Sequence, residues 1–162
     1  MTEIDVVRRL ELLETRNTLL DLVSSYAQAF DNRDPALLRS LWHEGAVLDL
    51  GGAFGRYTDI DGILAAADQL WAQTPHMHHW MANPLLEIDL DNGTATAATA
   101  LDCFTTDNTA GPCQIGGLYR DWFERRDGRW GIVKRTFDLH FLTPIADWTP
   151  LHGSESAQKA TA

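Results

Sequence analysis

Cysteine is scarce in this 162-residue chain: Cys103 and Cys113 are too few for a disulfide framework and read as ordinary small residues of a sheet in a reduced compartment. Long apolar runs are missing as well. No stretch approaches the roughly 18 apolar residues of a membrane span, and the opening MTEIDVVRRLELLETR mixes charges where a secretory signal would carry an apolar core. The expectation is a soluble, cytoplasmic protein with no membrane partner. Basic residues are outnumbered, 13 against 23 acidic for a formal net charge of -10, and form no patch longer than the pair Arg125 and Arg126. Nucleic acid is therefore not an expected partner. There is no GxGxxG, no Walker loop, no GxSxG and no CxxC, so nucleotide cofactors, serine-hydrolase chemistry and dithiol chemistry have no sequence handle. Acid–base chemistry without a cofactor or metal remains.

What is present is enough for one core, at 44% hydrophobic residues. A single domain is expected over 1–150, with a flexible tail over 151–162, where GSESAQKATA has no apolar periodicity. From Val6 to Phe30 apolar residues recur at helical spacing, with a break expected near Thr15 to Thr18. Asp34 and Pro35 supply the cap and first position of a short second helix ending at Leu41 or Trp42. GAVLDLGG reads as a strand, and Asp59 caps a third helix through IDGILAAADQLW.

After Pro75 the period changes to two, over roughly 77–90, 94–105, 113–126 and 129–142. Asp91–Asn92–Gly93 and Asp127–Gly128 are tight hairpin signals, since such turns need residues tolerant of positive φ, and DNTAGP is a looser connection. Helices followed by a long twisted antiparallel sheet give an α+β layout. If the sheet curls into a cone, the space between its concave face and the first helix is a small-molecule pocket.

Three residues could do chemistry there. In WGIVKRTFDLHFL one strand register reads Val133, Arg135, Phe137, Leu139, Phe141, and slipping it by one would bury Lys134, Asp138 and His140. Arg135 therefore points inward. A buried guanidinium needs an acceptor, either a structural ion pair with Asp31 or Asp121, or negative charge developing on a substrate. In HMHHW, His76 and His78 share one strand face while His79 shares the other with Met81. His79 is either a hydrogen-bonded core histidine or a base suited to neutral pH. A metal site from His76, His78 and His140 lacks an acidic ligand fixed by spacing. Asp31 ends the first helix, where a carboxylate gains nothing from the dipole. It is either turn chemistry or the group that orients an imidazole. Tyr26 is a candidate donor lining the cavity.

These residues and the order of elements resemble the SnoaL-like branch of the nuclear transport factor 2-like superfamily over about residues 5–145. Its dehydrochlorinase members share the Asp before a second short helix, the Leu70–Trp71 pair, a following His, the GGxYxxxxERRDGxW hairpin at Gly116 to Trp130, a later Arg and an FTP-like ending, here FLTP. The resemblance implies a cone-shaped α+β barrel, with a curved antiparallel or mixed sheet wrapped around N-terminal helices (cystatin-like). It implies a cofactor-independent lyase of the dehydratase or dehydrohalogenase type. His79, Asp31 and Arg135 would be catalytic, and Tyr26, Trp71, Met81 and Phe137 would contact a small apolar cyclic or aromatic substrate. An isomerase or polyketide cyclase, or a ligand-binding module without activity, would use the same scaffold. Trp122 and Leu118 on the sheet's outer face suggest self-association, and the branch implies a homotrimer.

Overall fold

The computed structural model describes residues 3–146. The expected tail over 151–162, and the last residues of the expected domain, lie outside the described residues. Helix α1 (Glu3–Asp31) is followed by α2 (Pro35–Ser40), β1 (Trp42–Asp49), α3 (Gly51–Phe54), β2 (Arg56–Thr58) and α4 (Asp59–Gln73). Four long strands complete the fold: β3 (His76–Asp89), β4 (Thr94–Asp107), β5 (Gly111–Arg126) and β6 (Arg129–Pro144). They form one six-stranded sheet in the order β2-β1-β6-β5-β4-β3. The fold is the α+β arrangement expected from the change of period at Pro75.

The hairpins fall where the turn residues put them. Gly93, Asp127 and Gly128 all have positive φ, which glycine and aspartate tolerate at low cost. In the looser β4–β5 connection, Asp107 accepts from the backbone N–H groups of Thr109 and Ala110. Asp34 accepts from Leu37 N at 2.9 Å and caps α2, and Asp59 accepts from Gly62 N at 2.8 Å at the start of α4.

Three expectations need correction. Helix α1 is unbroken through its 29 residues: Thr18 bonds back to the Glu14 carbonyl at 3.0 Å and Thr15 is buried, so neither threonine turns the chain. The segment after β1 is a short helix and strand, with Gly51 and Gly55 at positive φ around it. Strand β1 pairs with β6 in parallel, so the sheet is mixed, one of the two forms that the resemblance implies; pairing between elements so far apart leaves no mark in local pattern. The inward row of β6 is not continuous either. Trp122 pairs with Lys134 but Phe123 with Ile132, leaving Val133 as a bulge residue, so the buried row reads Trp130, Ile132, Arg135, Phe137. Leu139 and Phe141, expected inside, are exposed. A second slip lies between Gly116 and Gly117, where the two glycines let the rings of Phe141 and Phe137 lie against bare backbone; any Cβ there would collide with them.

The core packs the sheet's inner face against the C-terminal half of α1 and against α4. Leu19, Val23, Tyr26, Ala29 and Phe30 meet Ala46, Leu48, Ala67, Trp71, Leu101 and Phe123. The aromatic string Tyr26, Phe30, Trp71 and Tyr119 runs through it toward the end of α1.

Candidate active site

The end of α1 is fastened from three sides. Trp71 donates its indole N–H to the Phe30 carbonyl at 3.0 Å. Arg33, at positive φ just past the helix, donates to the carbonyls of Thr74 and Pro75. These bonds hold Asp31 against β3, an edge strand of the sheet. Its carboxylate takes up the strand's outward N–H and the side chain together: Oδ2 accepts from His79 N at 2.9 Å, and Oδ1 lies 2.5 Å from His79 Nδ1. An ionised carboxylate only accepts, so Nδ1 carries a proton, and in the uncharged form of the ring that tautomer leaves the lone pair at Nε2. The side chains of His79 and Asp31 are 8% and 15% exposed, shielded yet reachable.

His78 stands with its Nδ1 3.9 Å from Asp31 Oδ2 but is exposed and rests edge-on against Trp80. Both adjacent histidines thus approach one carboxylate from opposite sides of β3. Only His79 points to the interior. Opposite it on β4 is Cys103, whose thiol burial pushes up to about 12, so it stays protonated and unreactive. Cys103 and Cys113 are free and buried.

Arg135 is fully buried and so is Asp121, directly across from it on β5. The pair is bidentate, Nε to Oδ1 at 2.6 Å and Nη2 to Oδ2 at 2.8 Å. The guanidinium lies between two aromatic faces, 4.0 Å from the Tyr26 ring centre and 4.6 Å from that of Tyr119. Burial opposes its charge, but Asp121 outweighs burial and holds its pKa above the ordinary value. Burial likewise raises Tyr26 to about 12 and Tyr119 well above a tyrosine's usual range, so both stay protonated. Arg135 Nη1 is buried without a hydrogen-bond acceptor.

Two of the three expected groups are therefore joined, and the third is partnered elsewhere. Between His79 and Arg135 stand Phe30, its ring 6.2 Å from the imidazole, and Tyr26, which packs on Phe30 at 4.7 Å and on Arg135. Of the expected substrate contacts, Tyr26 roofs the ion pair, Trp71 fastens α1, Phe137 is buried against Tyr119 and Phe54, and Met81 is half-buried on the inward face beside His79.

A cavity of about 370 Å³ reaches Phe30, whose ring lies 6.2 Å from the His79 imidazole, although neither His79 nor Asp31 lines it. Leu48, Leu50, Phe54, Tyr57, Ala67 and Leu70 line it. It lies under α4 and α3 rather than between α1 and the concave sheet. Sequence reading missed these residues. The signals were the small-residue run Ala65–Ala67, which leaves space on α4, and the glycine-bracketed GGAFG. Among the described residues no group of three His, Cys, Asp or Glu side chains is placed to hold a metal, and no helix is long and apolar enough to cross a membrane.

Residues 11–136 match the SnoaL-like domain family. The chain is 31% identical over 144 residues to γ-hexachlorocyclohexane dehydrochlorinase of Sphingobium indicum, covering 85% of this chain and 88% of that protein. It is 29% identical over 141 residues to hexachlorocyclohexane dehydrochlorinase 1 of the same species, covering 85% and 89%. A crystal structure of a type 2 hexachlorocyclohexane dehydrochlorinase superposes with a TM-score of 0.83 at 25% identity, over 90% of this chain and 98% of that one. An NTF2-like protein with a cystatin-like fold from Novosphingobium aromaticivorans gives 0.71 at 22% identity, covering 96% of both chains, and shows the fold alone.

Proposed function

This chain belongs to the SnoaL-like family of the NTF2-like superfamily, and from that premise we propose that it is a cofactor-independent lyase in which His79 removes a proton from carbon. The dehydrochlorinase relatives support a lyase of the dehydrohalogenase type. The observation that carries the reading is the two-point clamp of Asp31 on His79, backbone and ring together. It fixes the ring's angle and tautomer and would stabilise the imidazolium formed when Nε2 takes a proton. The electrons of the broken C–H bond form a carbon–carbon double bond, and the leaving group departs with its own pair as halide or hydroxide. The substrate class is a small, largely apolar ring, supported by the cavity beside Phe30, whose walls combine aliphatic and aromatic side chains with Gln69 and Gln73.

Arg135 has a narrower part in this reading than a free cation. Its charge is shared with Asp121, and what it offers is the spare Nη1 donor beneath Tyr26, together with a rigid floor to the site. Cytoplasmic location and a homotrimer belong to the same proposal. A single-chain mass by light scattering at micromolar concentration would remove the trimer.

The test is turnover of chlorinated and hydroxylated ring compounds by the wild type, His79→Ala and Asp31→Asn. Loss of HCl or water from the product mass is the expected outcome, and both variants should lose it. Unchanged product mass would mark an isomerase or cyclase. Full activity in both variants would end the dyad mechanism.

A further inference from the structure

The cavity beside Phe30 has one anchored wall and one lightly held wall. Ala67, Leu70 and Gln73 line it from α4, a helix fixed by the burial of Ile63, Ala67 and Trp71. Ala53, Phe54, Gly55 and Tyr57 line it from the turn that joins β1 to β2. Helix α3, within that turn, buries none of its residues: Gly51, Gly52 and Ala53 are exposed and Phe54 is half-buried. Glycines flank it, Gly51 at φ 74° and Gly55 at φ 90°, where a residue with a Cβ would be strained. Leu50 N donates to the Gly55 carbonyl at 2.8 Å and closes the base of the turn, next to the pairs Asp49 with Arg56 and Leu48 with Tyr57. Inside that base, Gly55 N donates to the Gly51 carbonyl at 2.8 Å and makes α3 one compact unit. Rotation at the two glycines can therefore swing α3 as a piece while the β1–β2 pairing stays intact.

We propose that α3 is the door of this cavity, hinged at Gly51 and Gly55, and that Tyr57 is its latch. Tyr57 stands on β2, paired with Leu48, and donates its hydroxyl to the Phe54 carbonyl at 2.8 Å, so one bond ties the fixed ladder to the moving turn. Gly55 makes room for that bond, because a Cβ there would lie 2.8 Å from the Tyr57 hydroxyl oxygen. The second contact holding the door shut is the Phe54 ring, tilted against Phe137 on β6 with ring centres 6.3 Å apart. No lining residue carries a charge, and Phe54 and Tyr57 put aromatic rings on the moving side, so the guest admitted is an uncharged ring. At about 370 Å³ the cavity is near the lower end of the roughly 300–1,000 Å³ usual for ligand pockets. A guest of one substituted ring fills most of it, and its entry and release then depend on α3 moving aside. The proposal rests on this cavity receiving the ring substrate of the lyase reading, but the latch acts on access and not on the proton transfer.

Binding of fluorobenzene to the full chain, followed by fluorine NMR line shapes, tests this without any turnover. The wild type should bind it, and backbone relaxation dispersion should show exchange on the μs–ms scale of lids at residues 51–55, quenched by saturating fluorobenzene. Tyr57→Phe keeps the ring and removes the latch. Its association and dissociation rates should both rise roughly 2- to 10-fold, as for one lost hydrogen bond, while Kd changes far less. Gly55→Ala cannot hold the closed backbone and should also speed both rates; if its thermal melt shows a damaged fold, Tyr57→Phe alone decides. Unchanged rates in Tyr57→Phe, weaker binding without faster exchange, flat dispersion across 51–55, or a wild type that does not bind fluorobenzene would each overturn the proposal. Failure of the lyase reading would look different: no turnover of any ring compound, with the binding rates and their response to Tyr57→Phe as expected.

Discussion

Two carboxylates meet two cationic or potentially cationic side chains in this molecule, and the settings could hardly differ more. Asp121 and Arg135 are fully buried between tyrosine rings, doubly bonded and held charged by each other. Asp31 and His79 sit at the edge of the sheet, partly open, with one imidazole nitrogen engaged and the other available. The buried pair has spent Nε and Nη2, keeps only the Nη1 donor without an acceptor, and serves chiefly the core. The edge pair keeps half of its histidine for chemistry. An inward charge whose partner takes up most of its bonding is therefore a weaker indication of catalysis than an imidazole held at one nitrogen and open at the other.

The contrast can be broken most forcefully at His79. Its replacement by alanine should lower turnover roughly 100- to 10,000-fold, the usual worth of a general base, while shifting stability little. Steady-state kinetics beside a urea melt will show whether the two effects separate. Arg135→Ala should do the reverse, costing about 3–5 kcal/mol of stability because Asp121 is left charged and buried. Replacing both partners, as Arg135→Met with Asp121→Leu, should recover most of that loss by urea unfolding. If Arg135→Ala folds normally and only slows turnover, the division drawn above is wrong.

Trp71→Phe gives a smaller effect, about 1 kcal/mol for the lost bond to the Phe30 carbonyl. Turnover should fall further than this stability loss implies, because the end of α1 aims Asp31. The smallest effect involves a third histidine. His43 is buried; its Nε2 donates to the Glu124 carbonyl and its Nδ1 accepts from Arg129, both at 2.9 Å. Burial, with Arg129 and Arg126 nearby, lowers its pKa. The folded state thus disfavours the proton that the unfolded chain would bind. The contribution is complete above the ordinary histidine value of about 6.5 and declines as pH falls below it toward the lowered folded value. Urea midpoints between neutral and mildly acidic pH should fall, and His43→Gln should flatten that slope.

Most of the sheet was legible because its information is local. The turn residues at Gly93 and Asp127–Gly128 need particular φ values, and alternation along β3 aims His79 and Met81 inward whatever the partner strand. The inward direction of Arg135 was legible too, although the row around it was not: the bulge at Val133 takes that residue out of the row, and Leu139 and Phe141, on either side of the second slip, are exposed.

What this sequence determined by itself is local: which residues turn inward along β3, that Arg135 turns inward on β6, and which carboxylate ends the first helix. Which inward groups would meet was decided only by the tertiary structure. Asp31 reaches His79 because Trp71 and Arg33 fasten the helix end to a distant segment, and Arg135 is claimed by Asp121 because strand register sets them opposite. Period and propensity act between neighbours along the chain. The choice between two acids for one arginine depends on register and packing across it, where a bidentate pair in a dry core leaves that cation little to offer anything else.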